Sequence, residues 1–434
     1  MILLKSFKNI FFVEELRKKL LFTLGVLVVY RIGMVIPIIG VDISALGNLL
    51  QQAGALGGLL SHIDLMSGGA LSQCTIFALG IGPYISASIM MQLLGMAVPY
   101  FEQLLKEGEY GRRRINQYTR YLAVALSLFW GSAYALWLER SGMILTPGWG
   151  FRFLFVLSIM VGSLLVMWLA DQISLFGLGS GSSMIIFSGI VSRFPSYISK
   201  TFQFIKLGNL DPIIALLVLA FFIAITAAIV FLERGERKIP VQYARRMVGN
   251  RVYGGQSSYI PFKINMPGVM PVIFAQTILM IPMQISALLA NRLPWLSIFT
   301  DRIGMVYLVV EASLIIFFSY FYTRVIFNPE QLSEDLKKNG GFVLGLRPGR
   351  KTAEYFNYLL DRIGLVGALY LSFLAIFPTL LHKLITLPFF LPGTSLLIAV
   401  GVALDTASQI ESFLLESRYE GFLVTGKLTG RRLR

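Results

Sequence analysis

Apolar runs long enough to cross a lipid bilayer recur along this chain, and no other feature constrains its fold as much. In a hydrocarbon core every backbone N–H and C=O must be satisfied within the protein, so such runs read as helices. Ten are predicted, over residues 20–39, 71–98, 122–138, 153–170, 184–191, 213–232, 269–289, 305–322, 363–381 and 394–407. The fifth is short before Arg193 and Pro195, and extends through Tyr197 only if packed against protein. The chain is 56% hydrophobic and 14% charged, where soluble domains are about 45–50% apolar and about 25% charged. The expected fold class is all-α, a polytopic membrane protein of ten transmembrane helices.

The stretch 54–98 breaks the pattern. Two glycine clusters, Gly54/Gly57/Gly58 and Gly68/Gly69, bracket a short apolar segment containing Leu59, Leu60, Ile63, Leu65 and Met66. A helix over 56–67 would be about 18 Å long at 1.5 Å per residue, against a hydrocarbon core of about 30 Å. It also carries His62 and Asp64, which are costly in lipid. A half-helix therefore precedes a full one. Two readings stand: a helix lying at the outer surface, or a segment inside the protein along a water-filled cavity.

Lysine and arginine set the orientation. They crowd the N-terminus, the segments after the second, sixth and eighth spans, and the C-terminal tail; the opposite side receives Arg140, Arg152, Arg193, Lys200, Lys206, Arg292, Arg302 and Lys383. The crowded side is expected to be cytoplasmic, with both termini there. Two connections fit poorly. The fourth-to-fifth lacks lysine and arginine, and the fifth-to-sixth carries three on the outer side. Arg31, past the midpoint of the first span, is expected to snorkel to the outer interface. The basic N-terminus precedes an apolar run too long for a cleaved secretory signal. With five spans in each half, 1–205 and 206–434, the second half starts on the opposite face. Two halves of one fold would then form an inverted repeat.

Several chemistries are excluded. The chain has 2 histidines and 1 cysteine, so no HExxH site, histidine-based metal centre or intrachain disulfide is expected. No GxSxG elbow occurs. Gly421 to Lys427 approaches a P-loop, but Leu428 replaces the Ser/Thr that would hold Mg²⁺ and no strand leads in. The loop DQISLFGLGSGSS at 171–183 lacks the strand and third glycine of a dinucleotide site. No cofactor, metal or enzymatic activity is expected. Long basic segments at about 233–265 and 324–362 suit anionic lipid, or an acidic or nucleic-acid partner.

SGGALSQCTIFALGIGPYISASIMMQLL (67–94) resembles the second transmembrane segment of the SecY family, the protein-conducting channel of the general secretion pathway. YRIGMVIPIIG resembles the family's first span, with Ile39 where proline is expected. EGEYGRRRINQYTRY, ERGERKIPVQYARR, GGFVLGLRPGRKTAEYFNYLL and SRYEGFL match in order along the chain. The resemblance implies a channel that conducts unfolded polypeptides and releases membrane segments laterally. It implies a plug at about 56–67, formed by Leu59, Leu60, Ile63, Leu65 and Met66. It implies an apolar pore ring of Ile81, Ile85, Ile186, Ile190, Ile273 and, where a bulkier residue is commoner, Ala403. Ser86, Ser88 and Gln92, with Gln276 and Thr277, would face a lateral gate, though plain interhelical hydrogen bonding explains them equally well. Arg237, Lys238, Arg245, Arg246, Arg347 and Arg350 would bind partners. Those implied are the SecE and SecG subunits, the SecA motor, the ribosome, signal sequences and anionic lipids, in a bacterial cytoplasmic membrane. The alternative is a secondary transporter of a small solute. Apart from Arg31, Glu311 and Asp405, the spans lack the charges such a protein would use. A membrane-embedded hydrolase ranks third, without a nucleophile–base pair.

Overall fold

The computed structural model describes residues 13–41, 64, 67–144, 148–208, 211–243, 246–248, 251–253, 257–289, 304–384 and 392–425. The chain is helical, and by its internal contacts divides into two compact units, Met1–Ser196 with Val402–Arg434, and Tyr197–Gly401. Among the described residues six helices are long and apolar enough to cross a membrane, or seven if one sharply bent pair counts as a single span.

In the first unit, α1 (Glu14–Gly33) opens with Glu14 and Glu15 and closes with Arg31, charges that complement the helix dipole at each end. The expected second span is not one helix. Residues 70–81 form successive tight turns, such as Ala78 N–H to Thr75 O at 3.0 Å and Gly80 N–H to Phe77 O at 2.8 Å. Cys74 has φ of 46°. These turns pair with the chain after α1, Ile38 N–H donating to Cys74 O at 2.8 Å and Ile76 N–H to Ile36 O at 3.1 Å. Buried backbone is thus satisfied without a helix. Regular helix begins only at α2 (Gly82–Ala97). Val98, extended before Pro99, ends it, and α3 (Pro99–Lys106) leaves at 97°.

α4 (Glu109–Arg140) and α5 (Trp149–Phe176) pack as a pair, and α1 lies against α5. An ion pair ties the α4–α5 connection, Arg152 Nε to Glu139 Oε2 at 2.6 Å. α6 (Gly181–Val191) is the short fifth span, followed by α7 (Phe194–Lys206), which belongs to the second unit from Tyr197 on. The last helix, α13 (Gly393–Thr425), contributes its residues from Val402 onward to the first unit. There Gln409 Oε1 accepts from Gly179 N–H at 2.9 Å, and Lys19 lies 4.0 Å over the Phe413 ring.

The second unit contains α8 (Pro212–Arg234), α9 (Met270–Leu289), α10 (Met305–Ile326), α11 (Pro329–Lys338) and α12 (Arg350–Leu384). Beside these helices it carries a small sheet. Strands β1 (Glu236–Tyr243), β4 (Ser257–Lys263) and β5 (Gly341–Val343) form an antiparallel sheet in the order β4-β1-β5, and β2 (Arg246–Val248) pairs with β3 (Arg251–Tyr253). The two basic segments expected as loops are therefore folded onto each other. Ile239 and Val241 point inward from β1 onto Phe262, Leu336, Val343 and Phe356, while Arg237, Lys238 and Pro240 face out. α11 is capped by Asn328, whose Oδ1 accepts from Glu330 N–H at 3.1 Å, with Pro329 at the first helical position.

Candidate functional site

The residues expected at the pore ring come from four elements. Ile81 caps the start of α2 and is buried; Ile85, one turn on, is half-buried and donates its N–H to Ile81 O at 3.1 Å. Ile186 and Ile190 share one face of α6, and both are buried. Ala403 on α13 is exposed. Ile273 belongs to the second unit, buried near the start of α9 with neighbours Val272 and Phe274.

Of the residues expected at a lateral gate, Ser86 is buried and Ser88 half-buried on α2, where Gln92 Nε2 donates to Ser88 Oγ at 3.5 Å. On α9, Thr277 Oγ1 donates back to Ile273 O at 2.9 Å. Gln276 is buried, and its Oε1 has no hydrogen-bond partner among the described residues. Leu59, Leu60, Ile63, Leu65 and Met66 lie outside the described residues, as does Arg245.

On the folded basic module Arg237 and Lys238 stand on the solvent face of β1. Lys238 Nζ lies 3.2 Å from Glu236 Oε1 and 4.7 Å over the Tyr259 ring. The Glu236 hydrogen bond holds its ammonium above the ordinary lysine range. Arg246 falls within β2. Arg347 is exposed, and its carbonyl accepts from Thr352 Oγ1 at 2.9 Å. Arg350 opens α12, with Nε 3.3 Å from Glu354 Oε1.

One cluster was not anticipated. Asp64 is buried, and its carboxylate pairs with Arg193, just beyond α6. The same guanidinium donates to Asp64 O at 3.1 Å, and Asp64 Oδ1 accepts from Ser72 N–H at 2.8 Å. Arg31 was expected to snorkel outward. Instead it is half-buried, donating from Nη2 to Ser188 O at 2.9 Å near the C-terminus of α6, where a cation is favoured. The available signal was Arg193 itself, one of three basic residues in a connection that fits the charge asymmetry poorly.

The SecY family model matches residues 75–407. The chain is 42% identical over 425 residues to the protein translocase subunit SecY of Escherichia coli strain K12, covering 96% of each. It is 40% identical over 426 residues to that of Aquifex aeolicus, covering 96% of this chain and 98% of the relative. Against the Thermotoga maritima subunit, identity is 39% over 435 residues, covering 99% and 100%. Among solved structures, a protein-conducting channel superposes with a TM-score of 0.64 at 18% identity, covering 91% of this chain and 92% of that one. An idle yeast Ssh1 complex bound to the yeast 80S ribosome gives 0.60 at 14% identity, covering 93% and 89%.

Proposed function

The chain belongs to the SecY family and is the protein-conducting channel subunit of the Sec translocon, a multi-pass transport protein and not an enzyme, and from this we infer how its residues divide the work. Ile81, Ile85, Ile186, Ile190 and Ile273, with Ala403, form the constriction. The observation that carries this reading is that both isoleucine pairs sit at i, i+4 on the second and fifth spans, Ile186 and Ile190 both buried. An apolar constriction excludes ions by dewetting, yet deforms around a passing chain. The segment at about 56–67 is the plug beneath it. α2 and α9 are the sides of a lateral gate. The buried Gln276 Oε1 supports a polar seam there, since an unpaired buried carbonyl gains from a partner that arrives with the substrate.

The folded basic module is the docking face, through Arg237, Lys238, Arg245, Arg246, Arg347 and Arg350, for the SecA motor and the ribosome. Ribosome-bound Ssh1 and Sec61 channels share the fold, and basic side chains supply affinity for ribosomal phosphate. SecE and SecG are the companion subunits. The membrane is the bacterial cytoplasmic membrane, and the asymmetry of lysine and arginine supports both termini in the cytoplasm. The two halves form an inverted repeat, 1–205 and 206–434. Crosslinking tests the constriction. A photoreactive group at position 85 is expected to capture a stalled translocating polypeptide, and capture only from positions on the lipid-facing side of α2 would refute it.

A further inference from the structure

We propose that Asp64 and Arg193 form an electrostatic catch that holds the turn leading into the second span against α6, and that losing this pair favours the open channel. The proposal rests on the reading of 56–67 as the plug, and concerns what fastens its C-terminal end.

The contact is specific in three ways. The Arg193 guanidinium meets both the side chain and the backbone carbonyl of Asp64, so it reads position as well as charge. Its approach runs over Gly69, where a Cβ would lie 3.2 Å from Nη2 and where φ is +102°. The preceding residue, Gly68, with φ of +68°, packs backbone to backbone on Gly189, where a Cβ would fall 2.9 Å from Gly189 Cα. Side chains at either glycine would lift the turn from the helix.

The pair also lies where opening would weaken it. Its side chains keep only 21% of the Arg193 surface and 10% of the Asp64 surface exposed. A pair this sheltered gains from a low local dielectric and loses as water enters. Arg193 follows Ile190 by three residues, so the catch ends just past the helix that carries two of the expected constriction residues. Arg31, on Ser188 O, places a second guanidinium at this end of α6. Removing the Asp64 carboxylate leaves that end with two cations and no counter-charge from this cluster.

The test is resting ion conductance of the complete channel complex in planar bilayers, comparing Arg193→Gln, Arg193→Lys, Asp64→Asn and a deletion of residues 59–66. Protein amounts are matched by the folded fraction in detergent. Arg193→Gln and Asp64→Asn are expected to raise the frequency of resting openings about tenfold, equivalent to about 1.4 kcal/mol of closed-state preference. Arg193→Lys, which keeps the charge, is expected to recover most of the seal. If the deletion leaks and both neutral variants stay sealed, the catch is refuted and the plug reading stands. If Lys and Gln at position 193 leak equally, the pairing is not the cause and the proposal fails. If the deletion does not leak either, the plug reading fails and the proposal with it.

Discussion

The rings of Phe262 and Phe356 pack with their centroids 5.4 Å apart, joining β4 of the first basic segment to α12 of the second. Phe327 also packs on Phe262, with centroids 5.1 Å apart, and both Phe262 and Phe356 are fully buried. Basic segments far apart in sequence thus share one core, which fixes the spacing of their exposed cations. Phe262→Ala removes that anchor. The expected cost is about 3–5 kcal/mol to the module. Proteolysis should then cut within 233–265 and 324–362 in membrane preparations while the spans stay protected. Unchanged protease resistance would show that the core does not hold the module together.

Arg347 has the opposite character. Its side chain is exposed and only its backbone carbonyl is used by the fold, through Thr352. Surface substitutions of this kind usually change stability by less than about 0.5 kcal/mol. Arg347→Glu is expected to lower motor-driven translocation about tenfold at normal membrane levels, because charge reversal repels an acidic docking face. A parallel fall in membrane abundance would make the residue structural. Translocation rate and quantitative immunoblotting, measured on the same vesicles, separate the two.

The connection between α4 and α5 should respond to acid. The Arg152 hydrogen bond holds the Glu139 carboxyl below its ordinary range, and Arg152 is correspondingly held above its own. A carboxyl with a depressed folded pKa contributes stability above its unfolded pKa, and the contribution is lost as pH falls through the folded value. Thermal denaturation in detergent should therefore show a lower midpoint in acid than at neutral pH. Glu139→Gln should lower the neutral midpoint and flatten that part of the acid dependence. An unaltered pH profile in this variant would show that the pair adds nothing to stability.

Much of the fold was legible because apolar run length reports burial in lipid directly. Helices α5, α8, α9 and α10 begin within a few residues of the expected spans. The second span was misread because residues 71–81 are as apolar as a helix would be, and apolarity does not specify the backbone. Their hydrogen bonds go to residues 36–38, a partner that no local pattern reveals. The small sheet left a trace: inward Ile239 and Val241 alternate with outward Lys238 and Pro240, the period of a half-buried strand. The pairing of Asp64 with Arg193 spans 129 residues of sequence, and residue types alone cannot join charges that far apart.

The constriction yields the sharpest expectation. A pore for unfolded chains must pass every side chain, so charged selectivity is closed to it. It needs bulky apolar groups with no fixed hydrogen bonds, and isoleucine has no polar side-chain atom. Ile273, buried on α9, is one of the residues proposed for it. Ile273→Asn would bring an amide into the constriction, wet it and favour the open state. Ion leak at rest should rise, and preproteins with weakened signal sequences should be exported. Ala403→Ile works in the other direction. Position 403 is exposed, so a larger side chain has space, and the smallest sector of the ring would be filled. This variant is expected to reduce resting leak and to make export more dependent on a strong signal sequence. Equal leak from wild type, Ile273→Asn and Ala403→Ile in one bilayer preparation would remove these residues from the seal.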